Sequence, residues 1–300
     1  MEISAVNALR CPHCREGFAA PQATEHSMAC AGGHNFDIAR QGYLNLLTGH
    51  GTKFVPDTAA MVSARDAFLD AGHYKPLSEA LAELVGALLA EPALPSPKLI
   101  VDAGTGTGHY LHQVLAACSP GSPGARRPAA VGLDISKFAL RRAARRNPEA
   151  VNIVWDLWRE LPLGTAVADV VLVIFAPRNA SEFARILKPG GSLVVVTPLP
   201  QHLAEIAAEA GMLGIQADKE SALTASLASH FVPTGSREVV ATLQLSPADV
   251  GHVALMGPAG HHLDPEQLAE RLARLPKLTT ATAAFRISVF HPLPETSRVS

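Results

Sequence analysis

The chain has no apolar stretch that reaches the roughly 18 residues needed to span a membrane. It also lacks a basic N-terminal segment followed by an apolar run, which is the pattern of a secretory signal. We therefore expect a cytoplasmic protein with no membrane span. The apolar content of 48% over 300 residues is ample for the core of one large domain or two smaller ones.

Neither sign of charge dominates, because 25 lysines and arginines stand against 27 acidic residues, a formal net charge of −2. The chain as a whole therefore lacks the basic excess typical of nucleic-acid-binding proteins, although a local basic face is what counts. The predicted helix 137–146 carries Lys137, Arg141, Arg142, Arg145 and Arg146. Such a helix either contacts RNA phosphates or presents an ordinary solvated face, and we favour the solvated face.

Cysteine is scarce, and three of the four cysteines fall within the first 30 residues. Cys11 and Cys14 form a C-x₂-C pair, and Cys30 and His34 form a C-x₃-H pair. Each pair can aim two ligands at one point, and two pairs complete a tetrahedral zinc site of the structural kind. The alternative is a small apolar segment with incidental thiols.

Two other histidines compete as metal ligands. His13 lies inside the first pair, where its backbone is committed to the turn, and His26 has no paired partner. We interpret both histidines as bystanders.

The main motif begins where the apolar run 98–101 leads into Asp102 and then into Gly104, Gly106 and Gly108. A helical segment follows, so the pattern predicts a buried strand, a tight turn and a helix whose first N–H groups face a ligand. The dinucleotide fingerprint is G-x-G-x-x-G, whereas this chain has G-x-G-x-G with an acid two positions before the first glycine. The spacing therefore favours S-adenosylmethionine over a pyrophosphate.

Strands and helices alternate after the glycine motif. Strands are predicted at 129–133, 152–155, 169–175 and 192–197, and two late strands at 237–245 and 278–290 add an antiparallel edge. Helices are predicted at 58–69, 77–89, 137–146, 219–229, 247–256 and 264–275, and another one opens near residue 200. This alternation predicts an α/β fold with a Rossmann-like, mostly parallel, doubly wound sheet.

Polar residues follow three of these strands. Asp134 ends the second strand, where a carboxylate accepts from both ribose hydroxyls, although it can also serve the next helix as an N-cap beside Ser136. Asp156 follows the third strand and is expected beside the adenine. Arg178 and Asn179 follow the fourth strand, at the edge where ligands meet in open α/β sheets.

The distance from the glycines to Asp134 is longer than the ~20 residues usual in such units. We interpret the Pro- and Gly-rich segment 119–124 as an insertion that accounts for the difference. The ribose contact is therefore less firmly indicated than the glycine loop.

Several segments occur in the order of one known family. They are the two metal-ligand pairs, residues 36–47, residues 68–74, the Gly104–Gly108 loop, and Thr197-Pro198 with His202-Leu203. From about residue 10 to about residue 290, the chain resembles the RlmA/TlrB family of 23S ribosomal RNA guanine-N1 methyltransferases. Residues 176–179 and 256–258 resemble the TlrB branch, which is associated with macrolide resistance.

The resemblance implies a class I methyltransferase fold that uses S-adenosylmethionine and a structural zinc ion. It implies cofactor contacts at Tyr74, Gly106, Thr107 and His202, and it assigns the zinc to the two pairs above. It also implies that the zinc module grips a hairpin of 23S ribosomal RNA, and that two copies form a homodimer with an RNA cleft between them.

Three parts follow from these patterns together. Residues 1–48 are expected to form a zinc-binding RNA-recognition module, and residues 49–97 a helical linker region. Residues 98–300 are expected to form the methyltransferase domain.

Guanine N1 carries a proton at neutral pH, so its methylation needs a general base or stabilisation of charge on O6. Arg178 is a candidate for the O6 contact, with Asn179 beside it, and His261 and His262 are candidates for the base. The loop 256–262 that carries these histidines is either a pocket wall or an ordinary exposed loop.

Two functions of other classes stay open. One is a nucleotide-dependent oxidoreductase built on the same sheet, against which the glycine spacing counts. The other is a non-catalytic zinc protein that binds RNA and retains the cofactor fold.

Overall fold

The computed structural model describes residues 1–19, 26–49, 52–90, 97–118, 127–208, 210–211 and 219–294. Its helices are α1 Ile3–Asn7, α2 Ala59–Asp70, α3 Lys75–Leu89, α4 His109–Ala117, α5 Lys137–Arg146, α6 Ala180–Ile186, α7 Lys219–Leu227, α8 Pro247–Met256 and α9 Pro265–Leu272. Its strands are β1 Ser27–Ala29, β2 Asn35–Asp37, β3 Tyr43–Asn45, β4 Leu99–Ala103, β5 Ala129–Asp134, β6 Val151–Val154, β7 Ala168–Ile174, β8 Leu187–Pro198, β9 Phe231–Leu245 and β10 Thr279–Pro292.

One large sheet organises the chain, with the strand order β3-β6-β5-β4-β7-β8-β10-β9. The strands from β3 to β8 pair in parallel, whereas β10 is antiparallel to both β8 and β9. The predicted mostly parallel, doubly wound sheet with an antiparallel edge is thus confirmed. The strand order reverses at β4, between β5 and β7, and such a switch point opens a crevice at the carboxyl ends of the strands.

Both faces of the sheet are covered, as a parallel sheet requires. Along β4, Val101 packs in the apolar layer beneath α1 and α6, whereas its neighbour Ile100 packs in the layer formed with α3 and α4. Val171 and Val170 of β7 divide in the same way. This period-two division explains why the central strands are continuous apolar runs in the sequence.

The N-terminal segment reaches the sheet directly. β1 and β2 form a small antiparallel hairpin, and β3 then pairs in parallel with β6 as the edge strand of the large sheet. The sequence did not predict β3, because a strand of three residues leaves no readable periodicity. The division of the chain at residues 48 and 97 stays a prediction.

The helix predicted to open near residue 200 is wrong. Residues Ala204–Ile206 form only a short 3₁₀ turn, because the preceding backbone bonds to β10 instead. Leu199 N–H donates to Ala284 O, and Leu203 N–H donates to Thr282 O. Leu203 has φ 56°, a left-handed conformation that interrupts a helix.

The segment interpreted as an insertion, 119–124, lies outside the described residues. Within the described part of the chain, no helix has both the length and the apolar character to cross a membrane.

Candidate functional site

Four ligand atoms of the N-terminal segment lie together. The Sγ atoms of Cys11, Cys14 and Cys30 and a ring nitrogen of His34 all lie within 4.8 Å of one another. Cys30 Sγ is 3.6 Å from Cys14 Sγ and 3.5 Å from His34 Nδ1. In tetrahedral zinc sites, bonds of about 2.0–2.3 Å place neighbouring ligands about 3.3–3.8 Å apart, so these residues fit a zinc ion.

A tight turn aims the second pair of ligands. His34 N–H donates to Cys30 Sγ at 3.3 Å, and a Cβ atom on Gly32 would lie 2.8 Å from Cys14 Sγ, so a side chain there would collide with a ligand. The His13 ring lies against the His34 ring, with 4.9 Å between centroids, and His26 is exposed. Among the described residues, neither histidine belongs to the ligand cluster, as the sequence indicated.

The glycine motif forms a cradle at the carboxyl end of β4. Gly104 and Gly108 have φ values of 91° and 72°. A Cβ atom at Gly104 would lie 2.3 Å from Ala176 Cβ, and one at Gly108 would lie 3.0 Å from Ala143 Cα. The two positions therefore require glycine for conformation and for space. The turn brings the loop after β7 against the loop after β4 and ends at the first residue of α4.

Buried polar atoms line this cradle. Within the described residues, no hydrogen bond satisfies Asp102 Oδ1, Thr107 Oγ1 or Tyr110 Oη, although all three atoms are buried. Unpaired buried polar atoms are rare, and a cluster of them fits a polar ligand. Burial raises the pKa of Asp102 to about 7. The Thr105 side chain, a hydrogen-bonding group, opposes this rise in pKa, and the negative charge of Asp134 adds to it.

Asp134 lies at the end of β5 and is tied to the glycine loop. Gly106 N–H donates to its Oδ2 at 2.9 Å, and Ser136 N–H donates to its Oδ1 at 2.8 Å. The N-cap of α5 is Ser136, whose hydroxyl accepts from Ala139 N–H. Burial raises the pKa of Asp134, and the two backbone hydrogen bonds oppose that rise. Each carboxylate oxygen keeps a further lone pair for a ligand hydroxyl.

Tyr74 and His202 are in contact on the β8 side of the switch point, opposite Asp134 at the end of β5. The Tyr74 hydroxyl is 3.1 Å from His202 Nε2, and both rings pack against Phe285. Burial lowers the pKa of His202 to about 4 and raises the pKa of Tyr74 well above its usual value. The Tyr110 ring lies in the same region, because it packs edge-on against Phe175, which in turn packs against Phe285.

Asp156 follows β6 and is almost fully buried. Thr52 Oγ1 donates to its Oδ2 at 2.8 Å, and Trp158 N–H donates to its Oδ1 at 3.0 Å. The carboxylate therefore joins two separate segments at the rim of the crevice.

A segment that the sequence analysis missed crosses this crevice. We name residues 52–57 the strap. One end is held by the Thr52 contact to Asp156 at the end of β6, and the other by Ser136 Oγ, which donates to Asp57 O at 2.9 Å beyond the end of β5. The strap thus spans the carboxyl ends of β6 and β5. Irregular backbone gives no periodic signal by which it could have been found.

Arg65 of α2 is the second residue that the sequence analysis missed. Its guanidinium binds the Asp57 carboxylate of the strap and donates to Met256 O at the end of α8, at 2.7 Å. It lies over Gly106, where a Cβ atom would be 3.7 Å from Arg65 Nη1. A single cation therefore joins the strap, the glycine loop and the loop after α8.

Two of the five basic residues of α5 are held in ion pairs. Arg146 Nη2 is 2.9 Å from Asp66 and 2.8 Å from Asp70, and Arg142 also binds Asp66. These ion pairs hold α2 against α5. The expectation of an ordinary solvated face is therefore wrong for these two arginines, whereas the other three basic residues of the helix are exposed. The sequence does not show which acidic residues will face a helix.

The catalytic candidates separate into different environments. Arg178 is half-buried, burial lowers its pKa, and no hydrogen bond or ion pair joins it to another described residue. Asn179 Nδ2 donates to Leu157 O at 2.9 Å, so its amide holds the loop after β7. His261 and His262 are exposed, and in the described part of the chain neither bonds to the glycine loop.

Comparisons with known proteins match two parts of the chain to family models. Residues 9–50 match the family model for the RlmA N-terminal zinc ribbon, and residues 101–195 match the model of a methyltransferase domain. A 23S rRNA (guanine(748)-N(1))-methyltransferase of Streptomyces fradiae is 43% identical over 295 residues, covering 98% of this chain and 100% of the relative. A candidate 23S rRNA (guanine-N(1)-)-methyltransferase of Micromonospora griseorubida is also 43% identical, covering 95% of this chain and 97% of the relative.

A solved structure with a similar fold is a SAM-dependent methyltransferase from Thiobacillus denitrificans in complex with S-adenosyl-L-homocysteine. It has a TM-score of 0.43 and 17% identity, and the match covers 71% of this chain and 91% of that one.

Proposed function

This chain belongs to the RlmA/TlrB family of 23S rRNA (guanine-N1)-methyltransferases, and we propose that its target is a guanine in a hairpin loop of that RNA. It is an enzyme that transfers a methyl group from S-adenosylmethionine to guanine N1, and it has a structural zinc site. The observation that carries the proposal is the pairing of the glycine cradle at the switch point with a four-ligand zinc cluster in one chain.

The cradle has the chemistry that the cofactor needs. Gly104, Gly106, Thr107 and Gly108 allow close backbone approach, and Asp102 Oδ1 and Thr107 Oγ1, which have no hydrogen-bond partner among the described residues, can bond to the cofactor. We assign the ribose hydroxyls to Asp134 and the adenine edge to the neighbourhood of Asp156, beneath the strap. Tyr74, supported by His202, contributes a hydroxyl donor on the opposite side.

When bound, S-adenosylmethionine supplies a sulfonium methyl group for an in-line displacement. The protein's task is then to hold guanine N1 in line with that methyl group and to manage the N1 proton. Arg178 suits the second task, because a guanidinium that stays charged and has no described partner can stabilise negative charge on O6.

We assign different roles to the other three candidate residues. Asn179 positions the loop that carries Arg178, since its amide is already bonded to Leu157 O. His261 and His262 are exposed, and we assign to them the transfer of the guanine N1 proton to water.

The rest of the proposal concerns the RNA and the cell. Residues 1–48 form the RNA-recognition module, residues 49–97 the helical linker and residues 98–300 the catalytic domain. Two copies pair as a homodimer around the RNA, and the enzyme works in the cytoplasm, where ribosomal RNA is methylated. Methylation of the hairpin protects the ribosome from macrolides. Support for this last part is the likeness of residues 176–179 and 256–258 to the TlrB branch.

The deciding experiment is incubation of the protein with labelled S-adenosylmethionine and protein-free 23S rRNA. The expected result is a label on one guanine, located by a stop in reverse transcription, because an N1 methyl group blocks the Watson–Crick edge. Absence of label from the RNA would overturn the proposal. Size-exclusion chromatography with light scattering tests the homodimer, and macrolide sensitivity of an expressing strain tests resistance.

The two other classes considered from the sequence lose support once the family is known. An oxidoreductase would bind NADH, and a non-catalytic RNA-binding protein would leave the RNA unlabelled. Separate titrations with NADH and S-adenosylmethionine distinguish the first class, and the labelling experiment distinguishes the second.

A further inference from the structure

Two exposed aromatic side chains form a stacked pair at the rim of the crevice. The ring centroids of Phe54 and Trp158 are 6.4 Å apart, with 29° between the ring planes. Phe54 is 40% exposed and Trp158 is 53% exposed. Large apolar side chains held together in solvent are an informative exception to burial, and such patches mark interaction sites.

The pair is fixed at the cofactor end of the molecule and not on a remote face. Trp158 follows Asp156 by two residues, and its backbone N–H donates to that carboxylate at 3.0 Å. Phe54 belongs to the strap, whose Thr52 donates to the other oxygen of the same carboxylate at 2.8 Å. One buried carboxylate therefore holds both the backbone that carries Trp158 and the strap that carries Phe54.

A cation accompanies the pair. The Lys53 ammonium lies 5.6 Å from the centroid of the Phe54 ring. Aromatic faces with a neighbouring cation are the features by which proteins bind unpaired nucleic-acid bases, because every base has a π-face and every nucleotide carries a phosphate. A peptide partner gives no comparable reason for flat rings and a cation at the rim of a nucleoside pocket.

We propose that Phe54 and Trp158 form a stacking platform for an unpaired RNA base next to the target guanine, with Lys53 at its phosphate. The proposal rests on the proposed function, since it presumes a hairpin loop as substrate. Taking the target guanine out of its stack removes stacking from its neighbours, and a platform beside the pocket replaces that contact.

Intrinsic fluorescence tests the contact directly. The chain has two tryptophans, of which Trp155 is 4% exposed and Trp158 is 53% exposed. Titration with a hairpin oligonucleotide of 23S rRNA should quench the wild-type emission, and Trp158→Phe should show little quenching. A fully paired duplex of the same stem should quench less, because its bases are already stacked. Equal quenching of Trp158→Phe and of the wild type by the hairpin would overturn the proposal.

Steady-state kinetics give the functional consequence. Trp158→Ala and Phe54→Ala should each raise KM for the hairpin about tenfold, with KM for S-adenosylmethionine unchanged. Trp158→Phe should recover most of the loss, because it keeps a flat ring. A matched control is Val240→Ala, which removes an apolar side chain that is 57% exposed on β9, at the opposite edge of the sheet.

Two results would count against the platform. One is an unchanged KM for RNA in Trp158→Ala, and the other is a raised KM for S-adenosylmethionine alone, which would make the pair a cover for the adenine. Circular dichroism melting checks that each variant is folded. If the wild-type enzyme methylates no RNA, the proposed function fails, whereas the quenching titration still decides whether the pair contacts RNA.

Discussion

The hydroxyl oxygen of Tyr74 lies 3.1 Å from Nε2 of His202, 128 positions later in the chain. The other ring nitrogen, Nδ1, accepts a hydrogen bond from Ala284 N–H at 3.1 Å. An accepting Nδ1 carries no proton, and burial lowers the pKa of His202 to about 4, so the neutral ring has its proton on Nε2. Nε2–H therefore donates to the tyrosine oxygen, and the tyrosine keeps its own proton for another acceptor.

We predict that this pair is energetically coupled. Tyr74→Phe should lower the free energy of unfolding by about 1–3 kcal/mol, because it leaves the His202 N–H buried without an acceptor. His202→Phe should have a similar cost, and the double variant should cost less than the sum by at least about 0.5 kcal/mol. Urea denaturation of the four proteins measures the coupling, and strictly additive losses would show that the hydrogen bond contributes nothing.

The raised pKa of Asp102 should make the stability of the protein depend on pH. Burial raises its pKa from 3.8 to about 7 in the folded chain, so the folded state keeps a proton that the unfolded state has lost between those values. The free energy of unfolding should therefore fall as pH rises from about 4 to 7, by an amount on the order of a few kcal/mol.

Asp102→Asn removes that titration. As pH rises from 5 to 8, the wild type should lose unfolding free energy relative to the variant, so the variant becomes the more stable of the two by a growing margin. Urea denaturation at each pH measures this margin. A difference that stays constant over that range would mean that Asp102 ionises as easily in the folded chain as in the unfolded one.

Removal of zinc should separate RNA binding from cofactor binding. Cys14→Ser or a strong chelator is expected to release the metal and to lower affinity for the hairpin, with the dissociation constant for S-adenosylmethionine changed less than twofold. Zinc content by mass spectrometry and the two affinities are the measurements. Cys118→Ser is the matched control, because Cys118 is a free thiol outside the four-ligand cluster. Equal loss of both affinities would contradict the separation.

The requirement for glycine in the cradle can be tested by comparing Gly104→Ala with Gly72→Ala. Both Gly104 and Gly72 have positive φ, at 91° and 83°, but a Cβ atom at Gly72 would meet nothing within 4 Å. Gly72→Ala should therefore cost about 1–2 kcal/mol of backbone strain and leave cofactor binding intact. Gly104→Ala adds the collision with Ala176, so calorimetry should detect no binding of S-adenosylmethionine. Normal binding to Gly104→Ala would show that the cradle tolerates a side chain.

Arg178 is expected to act on the chemical step. Arg178→Ala should lower kcat about a hundredfold, with KM for S-adenosylmethionine unchanged, because the charge on O6 develops only during transfer. Arg178→Lys should recover part of the rate, since it restores a cation without the planar guanidinium. Unchanged kcat together with unchanged RNA affinity would remove Arg178 from the mechanism.

Local patterns in the sequence were enough for the main features of the fold. The glycine spacing after Val101 and the two ligand pairs around zinc depend on neighbours within a few residues, so they can be read directly. The alternation of apolar strands and amphipathic helices is equally local, and the sheet follows from it.

Contacts between distant segments could not be read in the same way. Arg65 reaches Met256 O across 191 positions, and Thr52 reaches Asp156 across 104. Nothing in the types of these residues distinguishes them from ordinary surface residues. The same holds for Phe54 and Trp158, which become a pair only when the strap is laid over the end of β6.

The edge strand β3 links the metal site to the large sheet. It follows the zinc ligands by nine residues, starting at Tyr43, and it caps the backbone edge of the apolar strand β6. If the metal-free segment were to detach, β6 would present unpaired N–H and C=O groups, a template on which a strand of another molecule can add. The metal site therefore also guards one edge of the sheet against pairing between molecules.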